Sequence, residues 1–209
     1  MKRFIKVTAF STIVMLTSMV FLTSCSNDDD DTDQIANNIE FTQADKDALL
    51  FMLEEEKLAR DTYDYLDNLW SINQFANIKN SEQSHMNAVA DLLTQSNVTY
   101  EILPYGEFIS TEIQNLYDQF VDDGSFSMNN ALAIGATIED LDIRDLQDFI
   151  DVTSNVALIS VFENLQCGSR NHLRSFISVI ENSGGSYVPQ YISQEQFDNI
   201  INSENEQCN

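Results

Sequence analysis

The chain has 209 residues and carries 34 acidic against 10 basic side chains, a net charge of -24. Such a polyanion repels phosphate backbones, which excludes nucleic acid as a partner. With only 6 Gly, 2 Pro and 3 Cys, a turn-rich sandwich or barrel and a disulfide-dense scaffold are also excluded, and 43% hydrophobic residues leave one acidic, mostly helical globular domain.

Residues 1–24 open with Met1-Lys2-Arg3-Phe4-Ile5-Lys6 and run apolar from Val7 to Leu22. A positive start, an apolar middle and a small-residue exit make an export signal, too short and too rich in Ser and Thr for a stable span of ~20 apolar residues. Leu22-Thr23-Ser24-Cys25 is similar to a bacterial lipobox, which implies a lipid on Cys25 as the first mature residue. An ordinary secretory peptide with an incidental Cys is the alternative. Residues 25–41, with Asp28 to Asp31 and Asp33, read as an acidic tether kept extended by self-repulsion. An acidic run behind a lipidated Cys resembles the signal that sends some lipoproteins outward, so the expected location is the outer membrane or cell surface. Loss of Lys2, Arg3 and Lys6 with the signal takes the net charge to -27, which favours cations over anionic lipids as ligands.

The domain proper spans 42–209. Thr42 and Asp45 predict an N-cap with an acidic first turn, and helical spacing then continues to Trp70. After a turn over Ser71 to Asn73, a second helix covers about 74–94, marked by Phe75, Ile78, Met86, Val89 and Leu92. A crossing segment with Pro104 and Gly106 leads to a shorter helix over about 110–121, ended by Gly124. A third long helix covers about 128–149 and a fourth about 154–181, stopped by Gly184-Gly185. Tyr187 to Tyr191 is extended around Pro189, and a last short helix starts near Ser193. The fold class is therefore all-α: a ferritin-like four-helix bundle with two short hairpin turns, one long crossover and short extra helices.

Acids occupy positions of this pattern where apolar residues belong. On the first helix Leu49, Glu56, Tyr63 and Trp70 form one heptad stripe, with Glu56 in its middle, while Glu54 and Glu55 point elsewhere and read as solvated. On the second, Phe75, Ile78, Glu82, His85, Val89 and Leu92 alternate by three and four, so Glu82 and His85 take two successive core positions. An unpaired buried carboxylate costs several kcal/mol, and a divalent cation would remove that cost. Residues three apart on a helix share a face, about 5–6 Å between Cβ atoms, so Glu82 and His85 can meet one ion. The alternative is a core histidine hydrogen-bonded to Glu56.

Level matching extends the set. Glu56 and Glu82 are equidistant from the first hairpin turn, and Glu139 and Glu163 from a turn placed at Asp151, each about 13 residues or roughly 20 Å away. Glu163 continues the Val156 and Ile159 stripe. Glu139 flanks Ile134, Ile138 and Leu141, with Asp142 as its fallback one turn on. A solvated acid is the alternative for each. Tyr63 reads as core or as a redox tyrosine beside a metal. Cys167 and Cys208 could pair after export, although Cys208 lies on an expected loose tail.

Glu56-x-x-Ala59-x-x-x-Tyr63 followed by Glu82-x-x-His85 resembles ferritins and rubrerythrins. Glu54 to Asp61, Ser81 to Met86, Gly135 to Glu139, Gly168 to Phe176 and Tyr187 to Tyr191 resemble more closely a bacterial and archaeal ferritin-like family known as domain of unknown function 2202. The likeness covers about 45–200 and implies a bundle with a carboxylate-rich centre but no established substrate. It departs at the fourth helix: Glu163 is followed by Gln166 where a His is wanted. His172, nine residues on from Glu163, lies about 13 Å along the axis on the opposite side, which suggests a structural role outside the centre. The expected cofactor is a pair of iron ions held by Glu56, Glu82, His85, Glu139 and Glu163, with manganese, zinc, calcium or no metal as alternatives. The competing class is a non-catalytic lipid-anchored bundle with a vestigial polar core. A homo-oligomer is compatible with either.

Overall fold

The computed structural model describes residues 40–208; the export signal, Cys25 and nearly all of the tether lie outside the described residues. Six helices follow in order: α1 (Gln43–Trp70), α2 (Asn73–Gln95), α3 (Thr111–Gly124), α4 (Met128–Val152), α5 (Val156–Asn182) and α6 (Gln194–Ile201). No strand occurs among the described residues, and none of their helices is long and apolar enough to cross a membrane.

The helix ends follow from local chemistry. Thr42 and Asp45 form a reciprocal capping box at the start of α1. Ser71 takes a left-handed conformation, φ 53°, and reverses the chain into α2. Ser110, Ser127 and Ser193 cap α3, α4 and α6 through their hydroxyls, and Asn155 accepts from the N–H groups of Ala157 and Leu158 at the head of α5.

The main packing is within two hairpins, α1 with α2 and α4 with α5; α1 against α4 and α2 against α5 join the hairpins into one bundle. The α4–α5 turn differs from the sequence expectation. Helix α4 runs through Val152, so the reversal falls at Thr153 to Asn155 instead of Asp151. At 100° per residue, a shift of a few residues changes which side chains face the bundle axis.

Close approach of α4 to α5 requires Gly135, where an added Cβ would lie 2.5 Å from the Phe176 ring. That ring packs against Tyr63 and Phe75. The segment before α6 is held by buried Asp140, which accepts from the Tyr187 hydroxyl and from the N–H groups of Gln190, Tyr191 and Ile192. The C-terminal tail, expected to be loose, is tied down twice. Cys167 is disulfide-bonded to Cys208, and Arg170 and Arg174 both pair with Glu206.

The apolar core is divided. One cluster gathers Leu58, Tyr63, Phe75, Ala136, Leu173 and Phe176; the other gathers Leu49, Met52, Met86, Leu146, Phe162 and Leu165. Along α1, α2, α4 and α5 the residues between these clusters are polar and buried: Glu55, Glu56, Glu82, Glu139, Asp142 and Ser169. The bundle thus carries a polar layer between two hydrocarbon halves.

Candidate metal centre

Glu56 on α1, Glu82 on α2 and Glu139 on α4 are each 2% exposed and converge in the polar layer. Two imidazoles close the cluster. His85 Nδ1 lies 2.8 Å from Glu82 Oε2 and 3.2 Å from Glu56 Oε2. His172 Nδ1 lies 2.9 Å from Glu82 Oε1 and 3.4 Å from Glu139 Oε2. The rings stack with centroids 5.7 Å apart. Ligand atoms of Glu56, Glu82 and His85 all lie within 4.8 Å of one another, and so do those of Glu82, Glu139 and His172. Glu82 belongs to both groups, one oxygen toward each imidazole.

These contacts are short, yet several are not hydrogen bonds. Glu82 Oε1 and His172 Nδ1 have no hydrogen-bond partner despite their 2.9 Å separation, and Glu56 Oε1 is also unpartnered. Groups that face a shared point instead of each other have the arrangement of ligands around an ion.

The surrounding structure aims these side chains. Tyr63 donates to Glu139 Oε1 at 2.5 Å, which fixes that carboxylate. Gly168 on α5 leaves room for His85: an added Cβ would lie 2.7 Å from its Cε1. Burial pushes the Glu56 carboxyl up to about 7, although His85 opposes the rise. Burial would also raise Glu82, but the two imidazoles outweigh it and hold it below the ordinary value. Burial works against protonating His172, yet Glu82 and Glu139 lift it to about 10. His85 is raised in the same way by Glu56 and Glu82. Without metal, the two imidazolium charges offset part of the carboxylate charge.

Of the residues anticipated from sequence, Glu56, Glu82, His85 and Glu139 come together and Glu163 does not. Glu163 is exposed, beside Cys167 and Cys208 on the outside of α5. Its place in the anticipated set followed from putting the α4–α5 turn too early. Gln166 is occupied as well, donating to the Ile143 carbonyl and to Gln147 while accepting from Arg170. His172 is the residue assigned elsewhere that the fold brings in. Moving the turn to Thr153 to Asn155 shifts the residue level with Glu139 from Glu163 to Ser169, one helical turn short of His172, and the packing brings His172 Nδ1 to Glu139.

Two further acids belong to the layer. Asp142 is 6% exposed, and burial followed by the Glu56 charge raises its carboxyl well above the usual range. Glu55, read as solvated, is 1% exposed with both oxygens unpartnered. Burial raises it too, followed by the charges of Asp142 and Asp145 on the facing turn of α4. Glu54 is bound at the surface, accepting from the N–H groups of Ile109 and Ser110 at 2.6 and 2.7 Å.

Fold and site together define an all-helical bundle with a buried carboxylate–histidine cluster that could hold metal. The chain belongs to the family described as an uncharacterized protein domain, DUF2202, whose model matches residues 45–204. It is 45% identical over 167 residues to the uncharacterized protein MJ0754 of Methanocaldococcus jannaschii, an alignment covering 79% of this chain and 90% of that protein. The crystal structure of that hypothetical protein superposes with a TM-score of 0.78, over 79% of this chain and 95% of the other.

Proposed function

We propose that this domain is a ferritin-like metalloprotein that holds two divalent ions, iron first among the candidates and manganese or zinc next. One observation carries the reading: Glu82 presents one oxygen to each of two imidazoles, and Glu82 Oε1 and His172 Nδ1 meet at 2.9 Å without a hydrogen bond. Glu56, Glu82 and His85 would hold one ion, and Glu82, Glu139 and His172 the other, with Glu82 shared. A ferrous pair bound there would supply electrons to dioxygen or peroxide, in iron oxidation, peroxide removal or oxidation of a small substrate. The chain's own part is orientation and exclusion of water. Tyr63 holds Glu139, Gly168 admits His85, and the two apolar clusters close the layer above and below. Metal loading must displace a proton from each imidazole, since both are raised in its absence.

Anaerobic titration with ferrous iron tests the proposal. Two equivalents should bind, with proton release, and Glu82→Ala should abolish uptake. Equal uptake by wild type and Glu82→Ala would refute it. Elemental analysis of protein purified from its native host without chelators identifies the metal.

A metal-free reading is favoured by one contact: His85 Nδ1 hydrogen-bonds Glu56 at 3.2 Å, so part of the polar core satisfies itself. On that reading the domain is a non-catalytic binding or structural module, and chelation leaves its melting temperature unchanged. Under either reading we propose membrane attachment through a lipid on Cys25, supported by the sequence Leu22-Thr23-Ser24-Cys25. Wild type should label with palmitate, and Cys25→Ser should move the protein to the soluble fraction.

A further inference from the structure

Helices α2 and α5 carry matched but unequal motifs. Where α2 has Glu82-x-x-His85, α5 has Ser169-x-x-His172. In the two-metal reading, which the present inference rests on, α5 gives an imidazole but no carboxylate. We propose that Asp142 of α4, oriented by Ser169, would supply the missing carboxylate of the two-ion centre through its free oxygen.

Helix register brings Asp142 into the same buried layer. Glu139 and Asp142 are three apart on α4, as Ser169 and His172 are on α5, so each pair lies on one helix face. The two faces meet in successive rungs: Glu139 with His172, and Asp142 with Ser169. Ser169 Oγ donates to Asp142 Oδ2 and also lies 3.0 Å from the Leu165 carbonyl, which fixes the hydroxyl on α5. The other Asp142 oxygen, Oδ1, is buried and has no partner. The charges of Glu56, Glu139 and Glu82, the three acids of the centre, all act on Asp142, as Asp142 acts on Glu55.

A purely structural aspartate would look different. Asp140, two residues earlier on the same helix, has its oxygens filled by a hydroxyl and three N–H groups. Leaving Oδ1 of Asp142 buried and unpaired is costly unless a cation takes it. Ser169 then acts as an orienting group for a ligand, the usual task of residues behind a metal's direct partners.

The mature chain titrated with Mn²⁺, followed by calorimetry and electron paramagnetic resonance, tests this. Wild type should bind two equivalents and give the spectrum of an exchange-coupled pair. Asp142→Asn should weaken the second equivalent by at least about tenfold and lose the coupled spectrum. Ser169→Ala, which keeps every charge, should diminish the coupled spectrum, and it supplies the same readout if Asp142→Asn does not fold. Adding Ser169→Glu to Asp142→Asn moves the carboxylate back to α5 and should restore the pair. Two-equivalent binding and a coupled spectrum unchanged in both Asp142→Asn and Ser169→Ala, with Glu82→Gln binding none, overturns the role of Asp142 and leaves the centre standing. Full binding by Glu82→Gln removes the centre itself, and this inference with it.

Discussion

Two buried charged groups sit side by side on α1 and behave oppositely. Lys57 and Asp61 are 2% and 0% exposed, as deep as Glu56, yet every strong donor and acceptor there is matched. Lys57 Nζ donates to Asp61 at 2.6 Å and to the carbonyls of Pro104 and Glu107 in the crossover. Asp61 also accepts from Arg60 and from the Gly106 N–H. One residue before Lys57, the Glu56 side chain enters the layer where carboxylate and imidazole atoms are left unpaired. Burial is therefore not what separates a structural ion pair from a ligand site. Hydrogen-bond completion is: the first group ties the crossover to α1, and the second leaves buried donors and acceptors open, as a proposed ligand site requires.

The largest effect should come from cutting the structural pair. Asp61→Ala leaves Lys57 charged and buried and should cost ~3–5 kcal/mol in denaturant unfolding, with or without divalent metal. Glu82→Gln should instead abolish the metal-induced rise in melting temperature, and without metal it should lower stability at neutral pH, because the two imidazoles hold the Glu82 carboxyl below its ordinary range in the fold. A metal response that survives Glu82→Gln but not Asp61→Ala would break the comparison.

Proton binding gives the next effect. The Glu56 carboxyl sits at about 7 in the fold against 4.5 ordinarily, so the folded state holds this proton more tightly. Its favourable contribution is full below about 4.5 and is lost as pH rises through about 7, on the order of 2 kcal/mol between pH 5 and 8. His172, raised to about 10, adds in the same direction toward alkaline pH. Glu82, held low, opposes only below its ordinary range. Metal-free protein should thus melt higher at pH 5.5 than at pH 8 in calorimetry, and saturating divalent metal should remove most of the difference. A metal-free melting temperature that rises with pH over this interval would contradict it.

Smaller still is the tail contact. Hydrogen bonds from Arg170, against some desolvation and with help from Arg174, hold Glu206 down to about 2. That stabilisation is present above about 4.5 and fades as pH falls toward 2. The pair is partly exposed, so Glu206→Gln should cost under ~1 kcal/mol at neutral pH. The smallest effect belongs to Glu163→Gln, which should leave metal stoichiometry and melting temperature unchanged, in contrast with Glu82→Gln.

Sequence alone was enough for the helices, for the Thr42–Asp45 cap and for most of the buried carboxylate–histidine cluster. The three-four periodicity of α2 puts Glu82 and His85 on the core face whatever packs against them, and the heptad stripe of α1 does the same for Glu56. Such positions are local: the 3.6-residue repeat of a single helix decides them. Glu139 needed a level argument across a turn, and Glu163 shows how that argument depends on the turn itself. Three residues' difference in where α4 ends turned α5 so that Ser169 and His172, not Glu163, meet α4. Glu55 was decided by its neighbour, since nothing in α1 says that the Asp142–Asp145 turn of α4 covers it. The disulfide likewise depended on the tail returning along α5 to bring Cys208 to Cys167. A helix's own period determines which of its residues are inward, while the partner and level of each inward residue come from loop geometry and helix rotation, which only the packed structure contains.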